Sequence, residues 1–271
     1  MVETFGWRSA FFIIGVPGVI ILGPCALRLP RLPSGPSHEH MTIHELLRVP
    51  AFLALLLSGW FSSFAGYAYV AWGPAFVQGY RGFSARQAGL ALGSTLVVGG
   101  TSGITAGAYL SDLLAKIRSW GRPIIILVGF VLGAPAIYLA LHSAGTLQFL
   151  FYFGLGAFFL SCYHGPLTAT IHDFVPPHGR ATALGLYYFL NLFAMAVAPL
   201  IVGWIADHSN LITAFSVPIT SQLVGAAFFV LVIQSIRRNG LHHPALARHW
   251  CEEPCRVFPH AIAAGVGASN V

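Results

Sequence analysis

The most chemically loaded stretch of this 271-residue chain is a carboxylate trailed by cations. Asp112 stands five residues after Gly107 and is followed by Lys116, Arg118 and Arg122. Such a group can form ion pairs or be held by the free backbone N–H groups and positive dipole end of a helix. A second set of polar side chains is Ser58, Ser62, Ser63, Tyr67, Tyr69 and Trp72, with Ser58, Ser62 and Tyr69 spaced four and seven so that they share one helix face. These groups can contact a solute through hydroxyls and ring faces. A third set is Tyr163 and His164, where an imidazole can titrate near neutrality and take part in proton coupling.

Other chemistries find little support. His164, His172, Asp173 and His178 do not have the spacing of compact zinc sites, and His249, Cys251 and Cys255 form only a weak pattern, so no metal site is expected. A Gly-rich phosphate loop is absent, no cofactor is implied, and paired catalytic groups are too few to indicate an enzyme. The four cysteines form no disulfide framework; Cys25 and Cys162 fall in apolar runs, where a small apolar residue is the ordinary role.

The elements that must carry these side chains are set by composition. Hydrophobic residues make up 56% and charged residues 8%, with a mean hydropathy of +0.74. Soluble domains carry about 25% charged residues, so this is a membrane protein in contact with lipid. The +6 net charge is scattered singly among loops and bears on topology rather than on nucleic acid. Backbone groups in lipid must be satisfied within the segment, which gives an all-α bundle. Seven spans are predicted: Ser9–Leu27, Ala51–Gln78, Gln87–Leu110, Pro123–Leu141, Leu147–Ile171, Ala181–Ala206 and Leu211–Ile236. Residues 28–48 are rich in Pro, Ser and His and read as a loop. No Asp, Glu, Lys or Arg lies mid-span, and Gly99, Gly103 and Gly107 form a small-residue ridge on the third span.

Of the 14 Lys and Arg, Arg8, Arg81 and Arg86 fall on one side of this layout and the other eleven on the opposite side. The positive-inside rule makes the larger group cytoplasmic, together with the carboxyl terminus, in a cell (inner) membrane. The amino terminus then lies outside with no secretory signal ahead of it, so the chain reads as the back part of a longer protein.

Several stretches carry a family resemblance. The Gly107–Arg122 loop resembles the charged loop between the second and third helices of each half of the major facilitator superfamily. Gly6-Trp7-Arg8 resembles the start of that family's sixth helix, and Val175-Pro176-Pro177-His178-Gly179-Arg180-Ala181-Thr182-Ala183 resembles the segment before its eleventh helix in Spinster-like members. His178 departs from the basic residue usual there.

The resemblance implies a division into residues 1–28 as the sixth helix, 29–49 as the cytoplasmic linker, 50–237 as the carboxyl-terminal six-helix half and 238–271 as a tail. That half would be a three-plus-three inverted repeat, with the five helices of the other half missing. It also implies a transporter of a small organic solute or amphiphile working by alternating access, with a coupled proton or sodium. By the family's helix order, Ser62, Tyr67, Tyr69, Trp72, Tyr163, His164, Tyr187 and Asn191 are candidates for the solute cavity. Gly107, Asp112, Lys116, Arg118, Arg122 and Arg180 are candidates for a conformational gate. Asp112 should face a helix of the missing half and so have no partner across a domain interface here. The partner completing the cavity would be that half or another copy. A seven-helix receptor and a membrane enzyme using His172 and Asp173 are the alternatives; a retinal protein is opposed because the one lysine, Lys116, is in a loop.

Overall fold

A computed structural model describes residues 15–20, 22–24, 41–118 and 120–239. The chain divides into two units, residues 1–39 and 40–271. In the first, α1 (Gly15–Pro24) is a short apolar helix within the predicted first span. The Gly6-Trp7-Arg8 motif, most of the linker and the tail with His249, Cys251 and Cys255 lie outside the described residues.

The second unit begins with α2 (Ile43–Leu47), inside a stretch expected to be loop. A capping box explains it: the Thr42 N–H donates to Glu45 Oε2 at 3.0 Å, satisfying a donor that a helix start leaves free. The following helices are α3 (Pro50–Arg81), α4 (Ala85–Ala115), α5 (Gly121–His142), α6 (Thr146–Ser161) and α7 (His164–Phe174). A single 3-10 turn at Pro177–Gly179 leads to α8 (Arg180–His208), α9 (Leu211–Ala214) and α10 (Ser216–Asn239). Counting α6–α7 as one segment, six helical stretches among the described residues are long and apolar enough to cross a membrane. No strand occurs among the described residues.

Side-chain register fixes the direction of the spans. Gly99, Gly103 and Gly107 on α4 face Gly154, Phe158 and Cys162, so α4 and the α6–α7 segment run parallel. On α3, Gly59 meets Tyr187 and Trp72 meets Gly203, so α3 and α8 are also parallel. Ser58 reaches Gly225 while Phe61 receives Ser221, so α10 runs against α3. The chain therefore crosses back and forth, with successive spans antiparallel.

The contact between α4 and α6 depends on missing side chains. A Cβ at Gly99 would stand 2.6 Å from the Gly154 carbonyl oxygen, and one at Gly103 would strike the Phe158 carbonyl. Both helices repeat every four residues along this seam, which is how small residues let backbones approach in lipid. The opposite side of α4 is exposed and carries Thr101, Ser102 and Thr105, whose hydroxyls donate back to carbonyls of α4 itself.

The predicted fifth span, Leu147–Ile171, is not one continuous helix. It breaks at Cys162–Tyr163 between α6 and α7. Pro166 accounts for this, because it has no N–H for the Cys162 carbonyl four residues earlier and its ring crowds that carbonyl. The Cys162 carbonyl is the group that Gly107 packs on, so the glycine of the charged loop seats α4 against the break.

At the end of α3, Arg81 donates from Nη1 to the Ala144 carbonyl at 3.0 Å and from Nη2 to Ser143. Its guanidinium also lies 5.3 Å from the Phe149 ring centroid. This ties α3 to the α5–α6 connection. Arg81→Ala should lower bundle stability by about 1–2 kcal/mol, read as a fall in thermal midpoint in detergent; an unchanged midpoint would make the clamp a surface contact of no consequence.

Candidate functional site

Two polar constellations occupy different levels of the bundle. The first surrounds a cavity of about 240 Å³ bounded by α3, α4, α5, α6–α7 and α8. Of the sequence candidates, Ser62, Tyr67, Tyr69, Tyr163 and His164 line it. Ser63, Ser161 and Met195 also line it, with apolar walls including Leu96, Ile137 and Phe153. None of its lining residues is Asp, Glu, Lys or Arg. Tyr163 and His164 sit at the α6–α7 break with their rings stacked, centroids 4.1 Å apart. Both side chains thus line the cavity at the level of the break that Pro166 leaves.

Trp72, Tyr187 and Asn191 do not line this cavity. The Trp72 indole N–H donates to the Pro199 carbonyl at 3.1 Å and its ring rests on Gly203, joining α3 to α8. Tyr187 is buried against Gly59. Asn191 is buried on α8, and its Oδ1 has no hydrogen-bond partner.

Three hydroxyls on α3 direct their protons into protein. Ser58 donates to the Gly225 carbonyl at 2.7 Å, and Ser62 donates to the Ser58 carbonyl at 2.8 Å. Tyr69 donates to Gln222 Oε1 at 3.4 Å. The shared face predicted for Ser58, Ser62 and Tyr69 exists and is turned toward α10. Sequence analysis missed Gln222, which is fully buried and donates from Nε2 to the Phe130 carbonyl at 2.8 Å. A lone amide inside an apolar run was the available signal, since such a group must find partners in lipid.

The second constellation lies at the end of the bundle where α4 stops and α5 starts. Arg122 bonds Asp112 Oδ1 at 3.4 Å and makes a short ion pair with Asp173 at the end of α7. Asp112 is 64% exposed, whereas Arg122 and Asp173 are 26% and 27% exposed. Arg122 therefore bolts the starts and ends of three spans together within this bundle. Asp173 was weighed from sequence only as a metal ligand or catalytic acid, because the residue it serves is 51 positions away.

Arg180 donates to the Val175 carbonyl at 3.3 Å and the His172 carbonyl at 3.2 Å, closing the connection from α7 to α8. Lys116 is the carboxyl-terminal cap residue of α4, and Arg118 follows in the turn, its N–H bonding the Leu114 carbonyl at 2.9 Å. The gate candidates Gly107, Asp112, Lys116, Arg118, Arg122 and Arg180 thus gather at one end of the bundle.

This arrangement has known counterparts. The family model of the Major Facilitator Superfamily matches residues 1–199 and 113–254. An MFS-type efflux pump of Mycolicibacterium smegmatis is 30% identical over 240 residues, which are 86% of this chain and 54% of the pump. Crystal structures of a bacterial homolog to the human lysosomal transporter Spinster, inward-facing, match at 19% identity over 86% of this chain. The unoccupied form gives a TM-score of 0.64 with 60% of its chain covered, the occupied form 0.65 with 59%. At that identity the likeness is one of fold. The chain spans between half and two thirds of the length of these relatives.

Proposed function

The chain belongs to the major facilitator superfamily, and on that premise we propose that it serves as one half of a secondary transporter that moves a small organic solute or amphiphile by alternating access. It is an integral membrane protein, with six helical stretches able to span a bilayer. The observation that carries the proposal is the convergence of Ser62, Tyr67, Tyr69, Tyr163 and His164 on a cavity free of charged side chains. Such a wall suits a solute with an apolar body and a small polar head, bound by ring faces and a few hydroxyls.

His164 is the imidazole on this wall and the group we assign to proton coupling, with sodium as the other candidate ion. The partner is a further set of membrane helices that completes the cavity from the side of α4 and α8, supplied by the other half of the fold or by another copy. Among the described cations, Arg48, Lys116, Arg118, Arg122, Arg180, Arg237 and Arg238 lie toward one end and Arg81 and Arg86 toward the other. We place the first end, and the carboxyl terminus with it, in the cytoplasm of a cell with the protein in its inner membrane.

An enzymatic role for His172 and Asp173 is less well supported. Asp173 is committed to Arg122, and the His172 carbonyl to Arg180.

The test is transport into proteoliposomes by this chain, with and without a co-expressed polypeptide carrying the five preceding helices of the fold. Transport is expected only with both. Tyr67→Ala and Tyr69→Ala should each reduce transport by more than they reduce abundance, by about tenfold or more for the loss of one good contact to the solute. Equal transport by the chain alone would overturn the half-transporter assignment. Normal transport by both tyrosine variants would move the solute site elsewhere.

A further inference from the structure

We propose that Gln222, which does not line the cavity, fixes the Tyr69 hydroxyl as a hydrogen-bond acceptor, so that the corner of the cavity formed by Tyr69 and Ser62 selects a ligand head group that donates hydrogen bonds. This rests on the assignment of that cavity as the solute site.

The inference follows from where protons must go. The Phe130 carbonyl is an acceptor only, so the Gln222 side chain has to present its NH₂ group there, at 2.8 Å. That requirement fixes the amide orientation and leaves Oε1 facing Tyr69. Gly133 gives the amide its room, because a Cβ there would stand 2.9 Å from Gln222 Nε2. With an amide oxygen fixed beside it, the Tyr69 hydroxyl directs its proton to Gln222 and turns its remaining lone pair to the cavity. Ser62 is in the same state, its proton given to the Ser58 carbonyl. Two hydroxyls that in isolation both donate and accept are thereby made into acceptors.

A head group such as an ammonium or an alcohol meets these two acceptors; an ether, ester or carboxylate oxygen placed at this corner meets only lone pairs there. A site built this way discriminates strongly, because the wrong ligand leaves buried polar groups unpaired. The Tyr67, Tyr69, Phe153 and Tyr163 rings beside the acceptors suit an apolar body next to such a head.

Two matched probe pairs separate donation from charge and from shape. One is 2-phenylethylamine against its N,N,N-trimethylammonium analogue, which keeps the ring and the charge and removes every N–H. The other is 2-phenylethanol against its methyl ether. Binding is measured by isothermal titration in lipid nanodiscs on the full chain co-assembled with the polypeptide carrying the five preceding helices, with empty nanodiscs as the blank.

In the wild type each donor should bind about tenfold tighter than its blocked partner. In Gln222→Leu the Tyr69 proton is released to the cavity, and the alcohol-to-ether ratio should fall severalfold, chiefly through tighter binding of the ether. Tyr69→Phe keeps the ring and removes the hydroxyl, so the same ratio should fall there through weaker binding of the alcohol; this arm decides the matter if Gln222→Leu does not fold. Wild-type binding without discrimination, or an unchanged ratio in either variant, would overturn the role of Gln222 and leave the solute site standing. Failure of all four probes to bind the wild type would overturn the solute site and the role of Gln222 together.

Discussion

Gly103→Ala is expected to cost the bundle about 2–3 kcal/mol, in the upper range for forced overpacking, even though alanine is the better helix former. The added Cβ would lie 3.0 Å from the Phe158 carbonyl carbon and 3.1 Å from its Cα, and closer still to its oxygen. Those atoms are backbone and cannot swing aside as a side-chain tip would. The helices must separate, and the neighbouring contacts at Gly99 and Gly107 loosen with them. Gly93→Ala on the same helix is the control, since nothing stands within 4 Å of its Cβ. There the propensity gain of up to about 1 kcal/mol should dominate, and stability should hold or rise. Thermal unfolding of both variants in detergent measures the contrast. Equal midpoints would mean that α4 and α6 are not held at the backbone separation described above.

The second large effect is expected at Arg122. Arg122→Ala removes the partner of a largely buried carboxylate, and a loss of about 1–3 kcal/mol follows from leaving Asp173 uncompensated. The two aspartates should behave differently. Asp112 is mostly exposed and 3.4 Å from the guanidinium, so Asp112→Asn should change stability by less than about 0.5 kcal/mol. Asp173→Asn should cost about 1–2 kcal/mol, since the shorter and drier bond is lost. The double variant Arg122→Ala with Asp173→Asn should be less damaged than the sum of the two, as groups in contact are not additive. A larger effect from Asp112 than from Asp173 would reverse the assignment of the stronger pair.

Much of the architecture was legible because lipid leaves a chain few options. Long apolar runs had to be helices, and their number within residues 50–238 and their approximate limits follow from where the charges fall. The ridge of Gly99, Gly103 and Gly107 was visible as a repeat of four. What was not legible depended on pairings between distant residues. The break at Cys162–Tyr163 needed Pro166 to be weighed against the carbonyl four residues before it, and the hydropathy of the run concealed it. The Arg122–Asp173 pair joins two span ends that sequence places far apart. At the cavity, Ser62, Tyr67, Tyr69, Tyr163 and His164 were identified from residue type and helix order. Trp72, Tyr187 and Asn191 have equally suitable chemistry, but their register on α3 and α8 turns them to helix packing. Gln222 was overlooked because a single amide in an apolar helix has no local pattern to mark it.

The outward side of α4 has a consequence for movement. Thr105 donates to the Thr101 carbonyl at 2.8 Å and Ser102 to the Val98 carbonyl at 2.6 Å. Thr101 likewise donates to Val97. A surface with three hydroxyls would ordinarily resist transfer between oily and proteinaceous surroundings, because each hydroxyl would demand a new partner after every move. Here each demand is already met within the helix that makes it, so the face is polar in composition and self-sufficient in bonding. These three hydroxyls can therefore meet another helix or acyl chains alike without a hydrogen bond of theirs being broken or remade.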